Sequence, residues 1–357
     1  MTNPARPLSG QIASLDGLRA FSVLIVFIAH AGFGDVIPGG FGVTVFFLIS
    51  GFLITTLLFR EFDLTRDISI SAFYTRRALR ILPPMLFALV LSMSAVQVGA
   101  VAGGYEIGTV MSQIFFYTNY LFIYGSETNQ WLPGTTVLWS LAVEEHYYII
   151  FPWFFILVAK GSVRSWHLAM ACFAFLMVRC AEYFVFGFTP DEIYHSSETR
   201  MDSILFGALL AMMWRDGILE KIFSGKRAML LALSISVMLL LLSFLYRDVA
   251  FRSTLRYSLQ GLALIPIFYY AVTLPQNPLF AILNWKPVME IGVLSYSIYL
   301  VHGVVLAVLI ENEFADNASL TLLLGGFSAS VGLAFFIKYF VEKPIYKLRK
   351  RFREAAA

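Results

Sequence analysis

The sequence predicts an all-α protein: a polytopic membrane bundle of about ten spanning helices, with one further interfacial or re-entrant helix and both termini on the cytoplasmic side. Three observations predict it. Of 357 residues, 59 % are hydrophobic and only 14 % charged, against about 25 % charged in soluble domains, and the mean hydropathy is +0.75. The apolar residues gather into runs of about 20, the length that crosses a ~30 Å hydrocarbon core as a helix. The basic residues gather in alternate loops between those runs.

The runs lie at 15–33, 39–59, 83–102, 139–159, 166–187, 200–214, 228–246, 254–273, 288–310 and 319–341. The stretch 107–124, IGTVMSQIFFYTNYLFIY, has the length of a span but carries Ser112, Gln113, Thr118 and Asn119 in its middle. Polar groups are not left facing lipid, so it is read as lying at the surface or re-entering against protein or a wet cavity. Charge tests the count. With the N-terminus inside, ten spans place every Lys and Arg except Arg179, Arg200, Arg247, Arg252 and Arg256 on the inner side, as the positive-inside rule expects. An eleventh span would put the basic C-terminal run outside.

The chain is therefore read as one membrane domain: a cytoplasmic N-terminus over 1–14, a bundle over 15–341, and a basic cytoplasmic tail over 342–357 that meets lipid headgroups. No soluble domain is expected to be appended. Ala29-His30-Ala31 has the small-x-small form of a signal cleavage site, but the segment is read as an uncleaved first span. Cys172 and Cys180 share one apolar run and give neither a disulfide framework nor a metal site.

The first run, LDGLRAFSVLIVFIAH, sets Arg19 and His30 eleven residues apart, ~16 Å along a helix. If Arg19 marks one face of the bilayer, His30 lies near mid-depth, where an ionisable group is costly and by default functional. A neutral histidine satisfied by a carbonyl is the structural alternative. Loop 60–82 carries Arg76, Arg77 and Arg80 ahead of Pro83-Pro84, at the inner mouth of the third span. On a helix Arg76 and Arg80, or Arg77 and Arg80, share a face, and guanidinium forks suit phosphate because each binds two oxygens at once. The plain alternative is that these arginines only fix topology.

The fourth run reads LWSLAVEEHYYIIFP. Glu144 and Glu145 point ~100° apart on a helix and cannot both face one site. One is expected to orient His30 or hold a hydroxylated substrate, the other to pair with a base such as Arg200 or Arg179; a structural ion pair is equally open. Thr199-Arg200-Met201-Asp202 offers a base and an acid that can satisfy each other. Tyr299 and His302, at i and i+3, can enter a common cavity. Gly51, at mid-depth in the second run, serves close packing. Tyr124, Trp131 and Trp139 suit sugar stacking and equally an interfacial belt.

Seven blocks, LDGLRAFSVLIVFIAH, GVTVFFLISGFLIT, RRALRILPP, LWSLAVEEHYYIIFP, TRMDSILFGALLA, LSYSIYLVH and VEKPI, stand in the order found in the membrane acyltransferase-3 family, which the chain resembles from Leu15 to Ile345. The resemblance implies an acyl-CoA-dependent O-acyltransferase of the bacterial inner membrane. Such an enzyme moves an acyl group, most commonly acetyl from acetyl-CoA, to a hydroxyl of a glycan or lipid-linked glycan at the extracytoplasmic face, for example an exopolysaccharide or lipopolysaccharide. It places the family's essential arginine and histidine on Arg19 and His30, its paired inner arginines on Arg77 and Arg80, and its Trp-Ser…Glu block on Trp139, Ser140 and Glu144. Two departures stand out: Thr44 replaces an acid found in many members, and the extracytoplasmic hydrolase-like domain fused to some members is not expected here.

Residues and resemblance together set the expected site. His30 and Glu144 are catalytic, with neutral His30 taking a proton from the acceptor hydroxyl. Arg19, Arg77 and Arg80 hold CoA. Trp139, Glu145, Arg200, Asp202, Tyr299 and His302 meet the acceptor. No metal and no nucleic acid is expected; the partners are the glycan and membrane lipids. The rival readings are a succinyl or other acyl donor, and a proton-coupled transporter of glycan or lipid precursors with His30 and Glu144 as its relay. The transporter leaves the Arg77/Arg80 pair without a use.

Overall fold

The structure, a computed structural model, describes residues 12–126 and 129–346. Most of the expected cytoplasmic N-terminus, Glu127, and the basic run beyond Tyr346 lie outside the described residues. The chain folds into helices α1 Ala13–Ile28 (continued by a π turn, Ala29–Phe33), α2 Gly39–Thr65, α3 Ile70–Gln97, α4 Ile107–Ile114, α5 Thr118–Tyr124, α6 Trp139–Ala159, α7 Ser165–Phe184, α8 Pro190–His195, α9 Ser197–Arg215, α10 Ile218–Ile222, α11 Lys226–Leu245, α12 Val249–Ser253, α13 Leu255–Thr273, α14 Lys286–Glu311 and α15 Leu320–Phe336 (continued by a π turn, Ile337–Glu342). Among the described residues there is no strand.

Each of the ten apolar runs falls on a long helix. Eight of these, among the described residues, are long and apolar enough to cross a membrane. The other two are α9 and α13, 19 residues each, whose hydropathy is diluted by Arg200, Asp202 and Arg215 in one and by Arg256 and Gln260 in the other.

One boundary differs in a way that matters. α2 runs on to Thr65 and α3 begins at Ile70, capped by the Ser69 hydroxyl accepting from the Ala72 N–H at 3.3 Å. The expected loop 60–82 thus shrinks to four residues, and Arg76, Arg77 and Arg80 sit on a helix. Pro83 and Pro84 marked a helix start in the sequence because proline lacks the N–H that an interior position needs. Here they sit inside α3, as prolines do in helices whose neighbours re-satisfy the freed backbone.

The stretch 107–124 is not a span. It breaks at Phe116, whose φ is +59°, into two helices of eight and seven residues. Thr109, Ser112, Gln113, Thr118 and Asn119 are all buried against protein.

The helices group into two compact units. The first is drawn from the described parts of Met1–Arg19, Val43–Ile68 and Val143–Met289, the second from those of Ala20–Gly42, Ser69–Ala142 and Glu290–Ala357. In the first, α2 and α9 meet backbone to backbone. A Cβ on Gly207 would lie 2.6 Å from the Phe52 nitrogen, and one on Gly51 would run into the Ile204 carbonyl, so glycine at these positions sets the helix spacing. In the second, Phe27, Ala31, Leu306, Ala315 and Leu322 form a core under the end of α1.

Candidate functional site

Within the second unit the decisive pair is His30 and His302. α1 leaves regular helix at Ala29, and the π turn that follows carries His30 and then Gly32 at φ +101°. A Cβ on Gly32 would lie 2.6 Å from the Ala318 nitrogen, while the Ala318 N–H donates to the Ala31 carbonyl at 3.0 Å. This chain reversal, pinned to the loop before α15, presents the imidazole instead of continuing the helix. His30 is exposed, while His302 on α14 is wholly buried.

His30 Nδ1 lies 2.8 Å from His302 Nε2, and His302 Nδ1 lies 2.7 Å from the Tyr299 carbonyl oxygen. A carbonyl only accepts, so His302 Nδ1 carries its proton and neutral His302 Nε2 is an acceptor. The bond to His30 is therefore donated by His30 Nδ1–H. This leaves His30 Nε2 as the unprotonated nitrogen, a base with its lone pair outside the dyad. The two rings are nearly parallel, 13° apart.

The same helix α14 ties this pair to both ends of its unit. The Tyr296 hydroxyl donates to the Ile81 carbonyl at 2.9 Å, next to Arg80 on α3. Six residues on, ~9 Å along the axis, is His302. Nine further on, another ~14 Å, the Glu311 carboxylate accepts from the Ala102 N–H and Asn312 donates to the Ala100 carbonyl at 2.7 Å, beyond the far end of α3. The histidines thus lie between the arginine end of the unit and its 98–138 end. Arg77 and Arg80 are both half-buried, Arg77 lying 5.9 Å above the Phe73 ring.

Tyr299 is buried. Its hydroxyl donates to the Val137 carbonyl at 3.0 Å and lies 2.7 Å from Ser140 Oγ. His302 meets its carbonyl by the hydrogen bond above and its ring at a centroid distance of 5.6 Å. Trp139 is 6 % exposed at the start of α6 and offers no free face.

The first unit holds the remaining expected residues. Arg19 is half-buried and forms an ion pair with Asp16 at 3.6 Å. Glu144 accepts from the Ser50 hydroxyl at 3.0 Å on one oxygen and from the Tyr148 hydroxyl at 2.9 Å on the other; Glu145 beside it is half-buried. Arg200 and Asp202 do not pair with each other, because residues two apart do not share a helix face. Asp202 takes both nitrogens of Arg179 at 2.9 Å, with the Ser258 hydroxyl at 2.6 Å, and all of this is buried. Arg200 is buried as well. It donates to Thr44 at 3.1 Å and lies 3.9 Å from the Tyr257 ring centroid. Thr44, noted in the sequence as replacing an acid, is thus a neutral hydroxyl partner of this cation.

Of the expected residues, the structure brings together His30, His302 and Tyr299, and joins Tyr299 to Ser140. What sequence reasoning missed is that His302 is the partner of His30 Nδ1, where a carboxylate such as Glu144 was expected. Among the described residues, no cluster of His, Cys, Asp and Glu is arranged to hold a metal.

Comparison with known proteins bears on the same residues. The chain is similar to YrhL of Bacillus subtilis, 29 % identical over 355 residues, which cover 94 % of this chain and 55 % of that protein. It is similar to the peptidoglycan O-acetyltransferase OatA of Listeria monocytogenes, 29 % identical over 311 residues, 82 % of this chain and 49 % of that one. It is also similar to the O-acetyltransferase OatA of Staphylococcus aureus, 29 % identical over 307 residues, 82 % and 50 %. The chain thus spans about half the length of these curated relatives. No solved structure matches it. The family profile described as an acyltransferase domain matches residues 12–339, a stretch that includes His30, His302, Arg77 and Arg80, and the chain belongs to the membrane acyltransferase-3 family.

Proposed function

We propose that this chain, as one membrane acyltransferase domain, transfers an acetyl group from acetyl-CoA to a hydroxyl of a cell-wall glycan across a bacterial cytoplasmic membrane. The observation that carries the reading is the directed hydrogen bond from His30 to His302, which leaves Nε2 of an exposed histidine as a base. A general base needs a positioned lone pair and the correct tautomer, and this pair of bonds supplies both.

Each group then has a task. Arg77 and Arg80 take CoA phosphates at their end of α3, and Arg19 joins them on the resemblance alone. The thioester supplies an activated acyl carbon. His30 Nε2 removes the acceptor hydroxyl proton as the acceptor oxygen attacks that carbon; the carbon–sulfur bond breaks, and His30 returns the proton to the departing sulfur. The His30 imidazolium formed in between keeps its Nδ1–H on His302, whose own N–H stays on the Tyr299 carbonyl. Glu144, in the first unit, already accepts from two hydroxyls and is given no part at His30; Glu145 follows it on α6, and Trp139 is buried and offers the acceptor no face. Asp202, paired inside the protein, is assigned to structure. Arg200, buried against Thr44 and Tyr257, is likewise assigned to structure. The glycan acceptor is supported by the names of the relatives: all three are named as O-acetyltransferases, and YrhL and the Listeria OatA as peptidoglycan O-acetyltransferases.

The test separates binding from chemistry. His30→Gln replaces the hydrogen bonds of a neutral imidazole but accepts no proton near neutral pH. It is expected to lose ~10²–10⁴-fold in acetyl transfer while its acetyl-CoA affinity, measured by calorimetry on purified protein, stays within about threefold of wild type, less than the tenfold that 1.4 kcal/mol makes. Near-normal turnover in His30→Gln sinks the assignment.

A further inference from the structure

The segment between α3 and α6 has a second property that the acyl-transfer chemistry does not use. Its two short helices and the loop 129–138 carry a run of aromatic rings. Trp131 stacks on Phe122 at 4.1 Å and 19°, and Tyr120 lies nearly parallel to Tyr124, 6.4 Å away and 6° apart. Tyr124 is 66 % exposed and Trp131 half-buried, unlike Trp139.

The loop is fastened to the histidine turn of α14. Gly134, at φ +71°, lies against Gly303 so closely that a Cβ on Gly303 would meet the Gly134 Cα at 2.9 Å. Gly303 directly follows His302. The Ser92 hydroxyl holds the Pro133 carbonyl at 2.8 Å, and Tyr299 holds that of Val137 at 3.0 Å. Gln113 reaches from α4 to the Thr135 hydroxyl at 2.7 Å, and the Gln130 carbonyl takes both the Glu106 N–H at 3.2 Å and the Thr109 hydroxyl at 2.8 Å. The aromatic rings are therefore mounted on a braced segment that touches the backbone next to His302.

We propose that Trp131 and Tyr124 form the acceptor subsite, a platform on which pyranose rings of a neutral glycan stack and so bring a hydroxyl toward His30. One face of a pyranose is lined with C–H bonds, weakly positive and apolar, and packs on the negative face of an aromatic ring. Its hydroxyls stay at the edge, toward water. A lipid-facing belt explains exposed tyrosines, but it gives no reason to brace the loop of Trp131 against the turn that carries His302. The subsite rests on the acyl-transfer reading for its purpose, though not for its detection.

The experiment reads sugar binding directly. The full chain in detergent micelles is titrated with chitopentaose, a neutral β-linked aminosugar oligomer, and followed by ligand-observed NMR, with acetyl-CoA affinity as a control for folding. Wild type is expected to bind; Trp131→Ala and Tyr124→Ala are expected to bind about five- to tenfold more weakly, and Trp131→Phe within about twofold, all four with unchanged acetyl-CoA affinity. Wild type that does not bind the oligomer, or Trp131→Ala and Tyr124→Ala that bind it as wild type does, overturns the platform. Binding with this pattern in a protein that shows no acetyl-CoA-dependent transfer upholds the platform and sinks the acyl-transfer reading instead.

Discussion

His302 is a residue whose task follows from hydrogen-bond direction alone. It touches neither donor nor acceptor in the reading above; it holds one tautomer of His30, which makes it a positioning residue. His302→Ala leaves His30 free to flip or to protonate the wrong nitrogen, so kcat is expected to fall about 10²-fold, the lower end of what a positioned base supplies, with KM for acetyl-CoA unchanged. His302→Gln keeps an oxygen that can accept from His30 Nδ1–H and is expected to recover much of that loss. Steady-state kinetics on both variants checks it; equal losses in the two would reduce His302 to packing. Tyr299→Phe makes the complementary case. It deletes the hydroxyl that bonds Val137 and Ser140 but leaves the carbonyl under His302. Thermal unfolding should show a loss of about 1–2 kcal/mol with kcat nearly intact. The sequence made His30 legible because an ionisable side chain in an apolar run has few harmless explanations. It could not show the partner, which lies 272 positions away, nor that Tyr299 would act through its backbone.

At the scale of elements, local signals were read well and pairings poorly. Ten helices followed from ten apolar runs; four polar residues marked 107–124 as no span, but not its break at Phe116 into two helices. The start of α3 was misplaced because a proline pair reads as a boundary, and only packing across helices permits it inside one. That shift makes the helix that carries Arg77 and Arg80 one with the third span, a single α3 over Ile70–Gln97. Each charge-assisted bond to phosphate contributes about 1.5–3 kcal/mol, so Arg77→Ala with Arg80→Ala should weaken acetyl-CoA binding by tenfold or more while the protein folds and inserts. Unchanged affinity by calorimetry would leave them as topology signals. The Arg179–Asp202 pair predicts the opposite split. Asp202→Asn leaves a buried guanidinium without its counter-charge, a defect that costs about 3–5 kcal/mol. Lower yield and a lower Tm in detergent are expected, with acetyl-CoA affinity retained in the protein that folds. A stable Asp202→Asn protein that had lost only transfer would return this aspartate to the site.

For the whole molecule, the question is which side of the membrane each chemistry occupies. In the proposed transfer the donor, CoA, is a polyanion that does not enter hydrocarbon, and an extracellular glycan does not reach the cytoplasm, so the proposal has the two meet a single base from opposite faces. Within the second unit the order along α3 and α14 suits this: Arg77 and Arg80 at one end, the aromatic segment at the other, and His30 with His302 between them. α3 is 28 residues long, ~42 Å at ~1.5 Å per residue, enough to cross the hydrocarbon core and both of its edges. Ser71 and Gln130 are exposed near its two ends and serve as reporters. Cys172 is buried and Cys180 half-buried, so both are first replaced by alanine to remove background. Gln130→Cys on intact cells should then react with a membrane-impermeant maleimide, while Ser71→Cys should react only after the membrane is opened. The positive-inside rule gives the same order from the basic loops, but it counts charges, whereas the labelling reads one residue at each end of the second unit. If Ser71→Cys is modified from outside, the guanidiniums face away from the CoA pool. The proposed route from donor to acceptor then runs the wrong way, however well His30 and His302 are placed to carry out the proton transfer.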